Sequence, residues 1–250
     1  MMVDYPKTEE IPGLRQLWKE AFGDSDAFLD LFFQNGFHPN RCRCITDRGA
    51  VVAALYWFDC SLADRKIAYL YAVATARSHR GQGLCRKLMA DTHELLKSKG
   101  YAGAILVPGE ESLFRFYGAM GYEAIACVET YHCPPGETPS PVTILSPDAY
   151  ATLRRRLLPA NAVLQEGDNL RFLSQICTLY GGDGWVMAAS TPGEALTAME
   201  FLGNTAQIPG ILATLGATEG NFRTPGSEAF AMYLPFDGSE KPAYFGLAFD

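Results

Sequence analysis

Residues 74–90 read ATARSHRGQGLCRKLMA: a β-prone exit, a cationic loop with two glycines, then an amphipathic run. Strand, glycine loop and helix in that order can present backbone N–H groups and the positive end of a helix to a phosphate. The helix is well patterned. Leu84, Leu88, Thr92, Leu95 and Leu96 share one face, while Arg86, Lys87, Asp91, Glu94 and Lys97 fall largely on the other. Gly81 and Gly83 remove side chains where an anion has to approach the backbone, and Arg80 adds charge-assisted donors. A nucleoside-triphosphate loop needs Lys-Ser/Thr after its last glycine, and Leu84-Cys85 stands there instead. A dinucleotide fingerprint needs a small residue where Arg86 sits. By itself the stretch leaves two readings open, a phosphate cradle and a plain turn before a helix.

The flanking sequence alternates helical and extended patterns. Ile11, Leu14, Leu17, Trp18, Ala21 and Phe22 recur at helical spacing, and Phe28, Leu31 and Phe32 continue on a second short helix. Residues 42–46 and 50–58 form an expected hairpin around Asp47-Arg48-Gly49, and residues 67–75 a third strand. After the helix that runs to about residue 99 come a strand at 102–107, a helix at 111–120 and a strand at 123–131. The segment CPPGETPSP, residues 133–141, has the composition of a linker. Beyond it, SPDAYATLRRRL at 146–157 opens like a capped helix, with Arg154, Arg155 and Arg156 expected on one polar face. A helix is expected at 168–180 and strands at 184–190, 195–202, 229–234 and 244–249. This order loosely echoes the first half.

The 250 residues are 48% hydrophobic and 20% charged, an ordinary globular balance. A net charge of -7 argues against nucleic acid or an anionic membrane recognised through bulk charge, so any anion site is local. The start MMVDYPKTEEIPG lacks the apolar core of a signal peptide, and polar residues interrupt the uncharged stretch 201–218, so no membrane span is expected. Seven cysteines, an odd number, read as reduced thiols of a cytoplasmic protein. Cys42-Arg43-Cys44 puts two thiols on one face of a strand without a partner pair, which gives no metal site.

The run RGQGLC, residues 80–85, resembles the acyl-CoA pyrophosphate loop of the GNAT acetyltransferases, Gln/Arg-x-x-Gly-x-Gly/Ala. Arg80 and Gly83 match it; Cys85 takes the last position, and Arg77 stands where proline is frequent. The run FRFYGAMGYE, residues 114–123, resembles the second signature of the family, a helix ending in Phe-Tyr-x-x-x-Gly-Phe/Tyr. The resemblance extends over about residues 5–131, roughly half the chain. The resemblance implies a GNAT fold, an α/β (α+β) architecture with a central mixed, mostly antiparallel sheet flanked by helices. The expected division is residues 1–133 as the acetyl-CoA-binding catalytic domain, 134–141 as linker, and 142–250 as a second, degenerate GNAT-like α/β domain. Such a pair resembles tandem-GNAT, Eis-like proteins, with no room for their additional sterol-carrier-like domain.

The resemblance further implies direct transfer of an acetyl group from acetyl-CoA, as co-substrate and without a metal, to a primary amine of a small molecule or peptide. The amine must lose a proton, the tetrahedral oxyanion needs donors, and the departing thiolate needs a proton. Tyr117 is the family-matched acid, because a phenol stays protonated at neutral pH. Val73, Ala74 and Thr75 are expected to contact pantetheine and the oxyanion through their backbone. Arg80, Gly81, Gln82, Gly83, Leu84 and Cys85 are expected to hold the pyrophosphate. The base stays open among Asp59, Glu110, Glu111, His79 and water, since residues 67–75 carry no carboxylate. That gap sustains the alternative of a non-catalytic acyl-CoA sensor or interaction module. The acceptor and the oligomeric state, a homo-oligomer included, also stay open.

Overall fold

A computed structural model describes residues 1–190, 194–238 and 240–249. In chain order its elements are β1 (Val3–Asp4), α1 (Ile11–Phe22), α2 (Asp26–Asn35), β2 (Cys42–Asp47), β3 (Ala50–Leu62), β4 (Arg65–Thr75), α3 (Leu84–Ser98), β5 (Gly103–Leu106), α4 (Glu111–Gly118) and β6 (Glu123–Cys133). The second half adds β7 (Thr143–Ile144), α5 (Pro147–Leu157), α6 (Asp168–Ile176), β8 (Thr178–Gly182), β9 (Trp185–Ala189), β10 (Ala195–Leu202), α7 (Ile208–Leu215) and β11 (Glu219–Pro235). Among the described residues the strands form one 11-stranded sheet, ordered β1-β2-β3-β4-β5-β11-β10-β9-β8-β7, with β6 paired to β11. The fold is mixed α/β with a mostly antiparallel sheet flanked by helices. The exceptions are the parallel pairs β4–β5 and β10–β11. Among the described residues no helix is long and apolar enough to cross a membrane.

The first half follows its local signals closely. α1 buries Leu14, Leu17 and Trp18, and the Ser25 hydroxyl caps α2 by accepting from the Phe28 N–H at 3.2 Å. The β2–β3 turn places Arg48 and Gly49 at φ 48° and 82°, the left-handed pair that a tight hairpin requires. α3 crosses over from β4 to the parallel β5. The strand beyond β5 then comes from far along the chain: Met232, Tyr233, Leu234 and Pro235 of β11 pair with Leu106, Ile105, Ala104 and Gly103. The other half of β11 pairs with β10, so one strand spans both halves of the sheet.

The second half repeats the order helix, helix, three antiparallel strands, helix, parallel strand. Several expectations change here. The expected helix at 168–180 ends at Ile176, because the β-prone Thr178, Leu179 and Tyr180 pair with β9. The expected strand at 229–234 is the end of the 17-residue β11, whose register slips between Pro225 and Ala231. Residues 244–249 form no strand. Tyr244 makes one isolated bridge to Ala162, and the segment is held by the Tyr71 hydroxyl donating to the Phe249 carbonyl at 3.0 Å and the Phe249 N–H donating to the Tyr69 hydroxyl at 3.3 Å. α7 occupies residues 208–215, where no element was expected. The proline-rich segment packs on α7, with the Gly136 N–H donating to the Pro209 carbonyl at 2.8 Å.

The halves share a core. Phe58 of β3 stacks on Phe172 of α6 at 5.6 Å, Phe32 of α2 meets Phe172 edge-on at 5.6 Å, and Phe249 packs edge-on against Phe58 at 4.9 Å. Arg154 corrects the expectation of a polar arginine face. It is fully buried and forms a two-pronged pair with Glu200 of β10, Nε–Oε2 2.6 Å and Nη2–Oε1 2.9 Å. The hydroxyls of Tyr150 and Tyr244 donate to the same carboxylate at 3.3 and 3.1 Å. Four donors satisfy one buried anion, and α5, β10 and the carboxy-terminal segment are tied at one point.

Removing one partner leaves the other charge buried. Arg154→Met is expected to cost roughly 3–5 kcal/mol in denaturant unfolding, and the double variant Arg154→Met/Glu200→Leu to recover part of that loss. A single-variant cost under about 1 kcal/mol would show that the pair does not hold the second half together.

Candidate active site

β4 and β5 pair only at Ile67–Gly103, Ala68–Ala104 and Tyr69–Ile105. Past Tyr69 the strands part, β5 staying with β11 while β4 continues to Thr75 along β3. Ala72 sits at φ 50°, left-handed for a non-glycine residue, opposite the register shift between Ala54 and Tyr56. On the edge facing the gap, the β4 backbone beyond Tyr69 has no ladder partner from β5. A cleft of about 750 Å³ opens there. It is lined by Val73, Ala74 and Thr75, by His79, Arg80, Gly81, Gly83, Leu84, Cys85 and Arg86, by Phe22 of α1, and by Glu110, Leu113, Phe116 and Tyr117 of the α4 region.

The loop at its mouth is shaped by local bonds. Glu20 of α1 accepts the Arg77 N–H at 2.6 Å, and the Ala76 N–H donates to the Val52 carbonyl at 2.8 Å. Gly81 and Gly83 both lie at φ 75°, with nothing within 4 Å of a built Cβ. The left-handed backbone alone accounts for both glycines, and the space above them is open to a ligand. α3 starts without a side-chain cap, so its first N–H groups are available to an anion. Arg80 lies back over the strand end, its Nε donating to the Thr75 carbonyl at 3.2 Å. The Thr75 hydroxyl is buried and has no hydrogen-bond partner among the described residues. An orphaned hydroxyl beside an unpaired strand edge and an uncapped helix start fits a ligand rich in amide and phosphate groups, which acyl-CoA is.

Of the expected co-substrate residues, Gln82 alone stays off the cleft, its side chain donating to the Ser78 carbonyl at 3.4 Å. Tyr117 lines it and is largely buried; burial, with Cys85 beside it, pushes its phenol well above the ordinary range and keeps the proton on. Burial also pushes the Cys85 thiol up to about 11, which leaves it a poor nucleophile at neutral pH. Of the base candidates, His79 and Glu110 reach the cleft. His79 sits between Ser78 Oγ (2.8 Å) and Asp47 (3.5 Å). Glu111 faces a neighbouring shallow groove. Asp59 is placed toward the other end of the sheet, opposite Ala68, where it accepts from the Tyr101 hydroxyl and pairs with Lys66 at 3.1 Å. Among the described residues no group of three or more His, Cys, Asp or Glu is arranged to hold a metal ion.

Sequence reading missed two features. Phe22 belongs by spacing to the buried face of α1, yet it is 48% exposed at the cleft rim. His93, on the buried face of α3, has Nε2 at 2.8 Å from the hydroxyl of Tyr122, whose ring meets that of Tyr117 at 5.9 Å. Burial, with Lys97 nearby, lowers the His93 pKa from 6.5 to about 4. Between these pH values the unfolded chain takes up a proton that the folded one refuses. Folding stability should therefore fall by up to about 3 kcal/mol as pH drops from 6.5 to 4, and His93→Gln should flatten that slope in urea titrations.

The family model described as an acetyltransferase (GNAT) domain matches residues 3–125. None of the curated proteins matches the sequence. Among solved structures, a GCN5-related N-acetyltransferase from Kribbella flavida is similar at 15% identity and TM-score 0.72, over 94% of this chain and 71% of that one. Eis1 from Mycobacterium abscessus is similar at 11% identity and TM-score 0.68, over 95% and 74%. A putative acetyltransferase from Pyrococcus horikoshii is similar at 10% identity and TM-score 0.69, over 98% and 92%. At these identities the structures speak for the fold alone. Residues 3–125, which the family model matches and within which both signatures fall, form a GNAT acetyltransferase domain.

Proposed function

We propose that the protein transfers the acetyl group of acetyl-CoA directly to a primary amine of a small molecule or peptide. The observation that carries this reading is a single cleft with the uncapped α3 start at one end, the unpaired β4 edge along it and Tyr117 in its wall. In this reading Arg80 and the N–H groups of the 81–85 loop hold the pyrophosphate. The backbone of Val73, Ala74 and Thr75 pairs with pantetheine and donates to the oxyanion. Tyr117 gives its proton to the departing thiolate, which leaves as a neutral thiol, and the proton released by the acetylated amine passes to His79, Glu110 or water. Residues 1–133 carry the acetyl-CoA site, and residues 142–250, joined through 134–141, act as a degenerate GNAT-like unit that shapes the acceptor side. The recurrence of element order supports that division, and the contact of Phe249 with Tyr71 supports the placement of the second unit beside the cleft. We place the activity in the cytoplasm, consistent with seven free cysteines.

A panel of primary amines assayed by free-thiol release tests the reaction. Tyr117→Phe should lower kcat by at least about tenfold with little change in acetyl-CoA affinity. Tight CoA binding without thiol release on any amine would instead favour an acyl-CoA sensor.

Thr75→Val tests the co-substrate site with two readouts of opposite sign. Replacing an orphaned buried hydroxyl by a methyl should leave the melting temperature unchanged or raised. Calorimetry should meanwhile show CoA binding weakened by roughly three- to tenfold. Unchanged CoA affinity would remove the Thr75 hydroxyl from the site.

A further inference from the structure

We propose that His93 is a positioning residue for Tyr117, acting through Tyr122 and resting on the acetyl-transfer reading above. His93 is 7% exposed and Tyr122 3%, so their 2.8 Å contact is shut off from water. In the Nδ1–H tautomer of the neutral imidazole, Nε2 accepts the proton of the Tyr122 hydroxyl. The ring of Phe236 also packs against His93, with ring centroids 5.6 Å apart. Tyr122 in turn braces Tyr117 twice. Its N–H donates to the Tyr117 carbonyl at 3.3 Å, and its ring meets the Tyr117 ring edge-on, at 63° between planes.

A leucine and a phenylalanine would fill much the same volume with no hydroxyl to satisfy. What the polar pair adds is direction, since a hydrogen bond fixes orientation in a way that dispersion contacts do not. The direction links two parts of one reaction. α3 begins at the loop assigned to the pyrophosphate, and His93 is on the same rigid helix. Tyr117 ends in a phenol that has to meet the sulfur of the same bound molecule. Anchoring Tyr122 to α3 sets the acid in the frame of the helix that grips the co-substrate. An acid misplaced by about 1 Å forfeits as much as a hundredfold in rate.

Kinetics and fluorine NMR together test this. His93→Leu and Tyr122→Phe should each lower kcat by roughly tenfold while the KM for acetyl-CoA stays within about twofold, and His93→Gln, whose amide oxygen can accept the Tyr122 proton, should recover most of the rate. In protein labelled with 3-fluorotyrosine, the Tyr117 signal, assigned by its loss in Tyr117→Phe, should shift in His93→Leu and return in His93→Gln. Unchanged kcat in the Leu variant, a KM that rises in step with the loss, or a Gln variant no better than Leu would each overturn the proposal. If the unsubstituted protein turns over no amine, the acetyl-transfer reading fails, and the fluorine signal alone decides the positioning role. A Tyr117 signal unmoved by His93→Leu overturns it, and a moved one upholds it.

Discussion

The parallel ladder between β4 and β5 lasts three residue pairs and then stops, and the candidate site depends on that stop. A parallel pair that ran on would bury its own backbone groups and leave nothing for a ligand to pair with. Here two forces pull the strands apart. β4 follows β3 through a bulge at the left-handed Ala72, whereas β5 is held by β11 on its far side. The opening is therefore a product of competing strand pairings. It exposes polar backbone along one edge, and α3 begins at the mouth of the same opening.

Because β11 arrives from residue 219 onward, the sheet that frames the cleft is completed only when the second half has folded. The second half is held to the first by aromatic packing around Phe58, Phe172 and Phe249. Its own alignment rests on the Arg154–Glu200 pair and the two tyrosine hydroxyls that join it. The pair carries the segment with Tyr244 at one end and Phe249 at the other toward Tyr69 and Tyr71, two strand positions before the cleft. The second half thus contributes structure to a site whose chemistry-bearing side chains all come from the first.

Legibility in the sequence followed the range of the interaction. The helices α1 and α3 and the β2–β3 hairpin were readable from periodicity and turn residues within a window of a few residues. So was the loop, since Arg80, Gly81 and Gly83 act through local backbone geometry. Tyr117 was readable because it sits in a short motif on one helix. Phe22 and Arg154 were misread, since spacing reports the face of a helix and not what finally covers it. Phe22 ends at a rim and Arg154 in a core. The end of α6 at Ile176 was missed because its competitor, pairing with β9, lies outside the helical window.

The amino-acid sequence by itself determined the local chemistry: a glycine loop that can meet a phosphate, the Ser146 cap of α5, and a tyrosine placed two turns into α4. Tertiary structure alone decided that β4 parts from β5, that a distant strand completes the sheet, and that His93 meets Tyr122. The physical reason is that strand register and buried polar pairing join residues far apart in the chain. Their free energy depends on what each excludes from water, and that environment exists only once the chain has closed on itself.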